Sequence, residues 1–214
     1  MKKVICLSII LFFISTVIFA QQKNIDKWTQ IVIDALDYDE NGIPINIYDI
    51  EMALKNGANP NYISEEGNSF LTYLSYYTSE YENNDIKNKI IKAYKLLFNH
   101  GAKLQYVDRS ILYFPIVNGC YEVIKLLLEN GASATFWPTD EIGSDITPIE
   151  LATAKGHEDI ITLLESYGAE RLGKQESAQL RFIEASQFGT IDEMEEARKK
   201  GAIVNKKIDK TKQH

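Results

Sequence analysis

The chain has 214 residues, 45% of them hydrophobic and 25% charged, with a formal net charge of −7. That length supports one domain or a repeat array, and the acidic balance disfavours nucleic acid and anionic lipid as partners. With only Cys6 and Cys120, a cysteine-rich disulfide scaffold is excluded.

The first predicted element is a leader. The sequence opens "MKKVICLSIILFFISTVIFAQQ", in which two lysines precede an apolar run from Val4 to Phe19, then Ala20 and Gln21-Gln22. A short positive flank, an apolar stretch too brief for a comfortable span and a small residue at its end predict a signal peptide over residues 1–20. Cleavage is expected near Ala20-Gln21; Ile18, large for its place three before the cut, leaves an uncleaved anchor as the alternative. Cys6 lies inside the run, so a lipid-modified N-terminus is not expected. No later segment reads as a membrane span, and the expected mature protein is soluble and periplasmic or secreted. Cleavage removes Lys2 and Lys3 but no acid, which moves the net charge from −7 to −9 and leaves Cys120 without an intrachain partner. Stability then has to come from packing.

Glycine-alanine pairs recur after amphipathic runs: "EMALKNGANPN" at Gly57, "KLLFNHGAKLQ" at Gly101, "KLLLENGASAT" at Gly131, "TLLESYGAERL" at Gly168 and "EEARKKGAIVN" at Gly201. The intervals are 44, 30, 37 and 33 residues. A period near 33 with a helix-stopping glycine predicts a helical repeat array. Each glycine supplies left-handed backbone, and each alanine lets neighbouring units approach. The most regular unit is "TPIELATAKGHEDIITLLESYGAE", from Thr147 to Glu170. Thr147 is placed to cap a helix, Pro148 suits its first position, and Thr-x-x-Glu up to Glu150 forms a capping box.

These features resemble the ankyrin repeat, whose Thr-Pro-Leu-His opening stands here as Thr147-Pro148-Ile149-Glu150, followed by Ala152 and Gly156-His157. The resemblance implies an all-α ankyrin-repeat solenoid of about five helix-turn-helix units with short hairpin-like fingers over residues 21–205, before a polar tail at 206–214. The units fall at roughly 24–63, 64–104, 105–141, 142–175 and 176–205, the first recognisable only in its second half. In the third, Pro115 replaces a helical alanine and is expected to bend or shorten the inner helix. The charged fifth unit reads as a terminal cap, with a fragment as the alternative.

Sites of chemistry are few. "DYDENG", Asp37 to Gly42, resembles half of a calcium loop, but Tyr48 stands where the bidentate glutamate belongs and Pro44 interrupts it; an acidic turn is the competing reading. His157 and Cys120 follow the inter-helix glycine in consecutive units, which brings them within reach without closing a zinc site. His100 beside the Gly-Ala stop suits a helix C-terminus. No nucleophile or phosphate loop stands in a recognisable context, so a non-enzymatic protein without cofactor or metal is expected.

By the resemblance, a partner lies against loop tips and inner helices. That implies binding through Glu65, Glu66, Asn68, Tyr76 and Tyr77 in the second unit, and Tyr106, Arg109 and Asn118 in the third. Lys155, Gln187 and Phe188 follow in the later units, with Phe136 and Trp137 on the long loop "TFWPTDEIGSD". Tyrosine and arginine anchor interfaces because they bury rigid area and keep a polar handle. The expected partner is a protein with a basic surface, met by a monomer, with no nucleic acid and no membrane after cleavage. The Asn, Ile, Lys and Tyr bias and the Lys-Lys leader suggest a bacterial periplasm. There, similar exported ankyrin proteins hold periplasmic partners or neutralise toxins; host-directed effectors and a calcium-responsive protein are the alternatives.

Overall fold

At every repeated Gly-Ala pair the backbone turns left-handed and a helix stops. The computed structural model describes residues 25–37, 45–80, 82–104, 111–135 and 146–204. Gly57, Gly101, Gly131, Gly168 and Gly201 have φ between +89° and +112°. In each case the alanine N–H donates to the carbonyl five residues back, as Ala58 does to Ala53 and Ala169 to Leu164, at 3.0–3.1 Å. The glycine N–H donates three residues back, so all five ends are Schellman motifs.

Among the described residues every regular element is helical. The first pair is α1 (Lys27–Leu36) and α2 (Ile47–Lys55). The second is α3 (Phe70–Tyr76), prolonged by a 3-10 turn at Tyr77–Glu80, and α4 (Asn84–Asn99). Then follow α5 (Tyr113–Val117) with α6 (Tyr121–Glu129), and α7 (Pro148–Lys155) with α8 (Glu158–Ser166). The last pair is α9 (Lys174–Phe188), which begins two residues before the expected boundary, and α10 (Ile191–Lys199). No helix among the described residues is long and apolar enough to cross a membrane.

Local chemistry sets the starts. The side chains of Asp26, Asn46, Ser69, Asn83, Thr147 and Thr190 each accept from an N–H of the first turn. Thr147 and Glu150 form the expected capping box, with Pro148 at the first position. Pro115 occupies the third position of α5, where its missing N–H has no intrahelical bond to lose, and that helix lasts only five residues.

The odd-numbered helices touch one another in chain order, α1 to α3, α3 to α5, α5 to α7 and α7 to α9, while α2 meets α4 and α6 meets α8. Between the rows runs one apolar core from Val32 through Ile50, Phe70, Leu97, Ile116 and Leu127 to Leu164. Each such side chain contributes about 1.5–3 kcal/mol by burial. The fifth pair has its own small cluster of Ala178, Ala197 and Ala202 with Phe182.

Candidate functional site

The loop from the first pair to the second is a short hairpin. Ile63 and Ser69 form an isolated antiparallel bridge. The Ser64 N–H donates to the Asn68 carbonyl at 2.9 Å, and the Gly67 N–H to the Ser64 carbonyl at 3.0 Å. Gly67, at φ +81°, supplies the left-handed residue that closes such a turn. Glu65 and Glu66 are therefore its two central residues, and both are exposed.

Two side chains, Thr29 and Asn61, brace the backbone leading into this finger. The Thr29 hydroxyl of α1 accepts the Asn59 N–H at 2.8 Å and donates to Asp26 Oδ2 at 2.6 Å. Asn61 bonds to the backbone just after α4: its Nδ2 donates to the Gly101 carbonyl at 3.0 Å, and its Oδ1 accepts the Lys103 N–H at 2.8 Å.

Between the finger, α1 and α3 lies a cleft of about 310 Å3. Ile33 and Leu36 of α1 and Phe70 of α3 give it apolar walls; Tyr62 and Tyr73 add rings, and Asp37, Glu65 and Glu66 add carboxylates. Tyr62 lies tilted against Phe70 with ring centroids 5.6 Å apart. Burial pushes the Tyr62 phenol up, and Tyr73, Glu65 and Glu66 push it in the same direction, so it stays neutral. A hydrogen bond from the Ser64 side chain lowers the Glu66 carboxyl below its ordinary value, so it stays ionised.

Further along the odd-helix row, Tyr76 sets its ring edge-on to Phe114 at 5.0 Å, and Tyr113 does so at 5.3 Å. The Tyr76 hydroxyl donates to Asn68 Oδ1 at 3.4 Å, which ties two expected binding residues together. Asn118 is exposed at the end of α5, where its Nδ2 donates to the Phe114 carbonyl at 2.9 Å and to Thr78 Oγ1 at 3.4 Å. No protein-family model matches the chain.

Tyr77 is a correction to the expected surface. The 3-10 turn rotates it inward to 8% exposure, and its hydroxyl donates to the Leu36 carbonyl at the end of α1. It therefore joins the first two pairs instead of facing a partner. Lys155 is ion-paired to Glu184 of α9 at 2.5 Å and lies 5.6 Å from the Phe188 ring centroid. Phe188 itself is 78% exposed, and Gln187 beside it is exposed as well. Tyr106, Arg109, Phe136, Trp137 and most of the Asp37–Gly42 acidic segment lie outside the described residues, as do 1–20 and 206–214.

His157 and Cys120 belong to no group of three metal-ligating side chains among the described residues. The His157 ring packs over Gly119, while the Cys120 thiol donates to the Thr78 carbonyl at 3.7 Å. Burial raises that thiol to about 12, so it is a packed, protonated group at neutral pH. His100 caps α4, its Nδ1 donating to the Leu96 carbonyl at 2.9 Å. Among the described residues no group of three or more His, Cys, Asp or Glu could hold a metal ion. Sequence reasoning missed Tyr62, Tyr73 and Phe114. Tyr73 lies one turn before Tyr76 on the same helix, a spacing that would have flagged it.

Proposed function

We propose that this chain is an exported ankyrin-type repeat protein that binds a partner protein through its odd-numbered helices and the finger at 62–69. The observation that carries this reading is the finger itself. Its hairpin turn holds two exposed carboxylates beside a cleft, next to the partly buried rings of Tyr73, Tyr76 and Phe114 on one row of helices. Rigid aromatic surface with a polar rim is the composition of interface hot spots. The repeated Gly-Ala stops, the Thr147–Glu150 cap and the chain-order contacts of the odd helices support the ankyrin architecture.

The acidic finger favours a basic partner, and neutralisation of a basic toxin domain is the form of this reading we prefer over a host-directed effector. The test is affinity capture by the protein from periplasmic extract, with Tyr76→Ala/Asn118→Ala as the paired control. Tyr77 stays untouched, because its loss would unlock the first two pairs. A protein held by the natural chain and lost from the folded variant is the expected result. Equal retention by both would remove the aromatic row from the interface, and no specific retention would remove a periplasmic partner.

A further inference from the structure

The cleft beside α1 combines features that select one kind of occupant. Its walls are apolar at Ile33, Leu36 and Phe70, and its acids are Asp37, Glu65 and Glu66; no lysine or arginine is among the described residues lining it. A neutral apolar ligand would leave Glu65 and Glu66 at its rim without a counter-charge, and an anion would be repelled. A bare metal ion would find no cluster of ligands among the described residues. A long cationic side chain answers both halves: its methylene stem lies along apolar wall while its head meets carboxylate. The Tyr62 and Tyr73 rings add a surface on which a cation is favoured.

From this we infer that the cleft seats a lysine or arginine side chain, presented by an extended, apolar-flanked segment of the partner protein. The inference rests on the protein-binding reading and names the chemistry its partner brings to the first finger. A volume of about 310 Å3 suits one long side chain with its neighbours and leaves no room for a folded surface. The backbone leading into the finger is braced by Thr29 on one side and Asn61 on the other, so the turn that carries the carboxylates is formed before binding.

The test is fluorescence polarisation with the purified protein and a labelled peptide alternating leucine and arginine. Binding is expected to weaken about tenfold in Glu65→Gln/Glu66→Gln. Asp192→Asn/Glu195→Gln, which removes the same charge from exposed positions on α10, should leave it unchanged. A serine-arginine peptide and spermidine should bind far more weakly, and a leucine-glutamate peptide not at all. Equal weakening in both variants, or equal binding of the serine-arginine peptide, would overturn the inference in favour of general attraction to an acidic chain. No binding of the leucine-arginine peptide would also overturn it. So would self-association abolished by deleting 206–214, which would give the cleft to Lys206, Lys207, Lys210 or Lys212 of a second copy. If a partner captured from extract binds Glu65→Gln/Glu66→Gln as tightly as the natural chain, the cleft assignment falls while the protein-binding reading stands.

Discussion

Gly119 and Gly156 occupy equivalent inter-helix turns at φ +66° and +79°, but they differ in what surrounds them. A Cβ on Gly156 would meet nothing within 4 Å, whereas one on Gly119 would come within 3.2 Å of His157 Cε1. Gly156→Ala is therefore expected to cost about 1 kcal/mol for left-handed backbone alone. Gly119→Ala should cost more, because the His157 ring has to yield. In a His157→Ala background the excess should vanish, which urea melts of the four proteins of that cycle would measure. An unchanged cost in that background would show that the ring does not resist. The same region sets an alkaline limit. Cys120 titrates at about 12 when folded against an ordinary 9.0, and burial holds Tyr94 well above 10.0. The folded state thus keeps protons that the unfolded chain releases. This stability is complete below about pH 9 and declines as pH rises toward the folded values. Denaturation midpoints should fall less steeply above about pH 9 in Cys120→Ala and Tyr94→Phe than in the natural chain.

Helix ends were the most legible part of the sequence, because their signals lie within a few residues. The five Gly-Ala stops, the Thr147-Pro148-Glu150 start and the shortening at Pro115 all needed only local pattern. α1 was expected only as the first half of the 24–63 unit, with no pattern of its own to mark it, because it lacks the Thr-Pro opening, although Asp26 caps it and Val32, Ala35 and Leu36 form its buried stripe. The orientation of Tyr77 was illegible for another reason. Tyr76 and Tyr77 are neighbours of one type, and which of the two enters the core and which stays partly exposed beside Phe114 depends on the register of α3 and the 3-10 turn that follows it. The candidate site was half legible. Glu65, Glu66, Asn68 and Tyr76 could be placed from the finger register. The apposition of Ile33 with Phe70, and of Asn61 with Gly101 and Lys103, joins residues about 40 positions apart and left no local trace.

Across the whole molecule, the first four pairs share one apolar core and the fifth docks on it by different means. Counting from the inter-helix glycine, Val123 and Ile160 are buried where α10 carries exposed Glu193, and Leu163 is buried where it carries exposed Glu196. The fifth pair also meets the fourth through Lys155–Glu184, through Arg181–Glu158 at 2.6 Å, and through Arg181 Nε to the Thr153 carbonyl at 3.2 Å. Partly exposed ion pairs of this kind contribute about 0–1 kcal/mol each, less than one buried leucine. In a linear array with nearest-neighbour coupling, the weakest interface opens first. Amides of α9 and α10 are therefore expected to exchange with solvent deuterium faster than those of α3 to α8, and added salt should widen the gap by screening these pairs. Lys155→Ala/Arg181→Ala should accelerate exchange in α9 and α10 alone. Uniform protection over the described helices, or a gap insensitive to salt, would show that apolar packing of Ala178, Ala197 and Phe182 suffices to hold the last pair. The cleft beside α1 lies at the opposite end of the row, so opening of the fifth pair should leave Glu65 and Glu66 in place and peptide affinity unchanged.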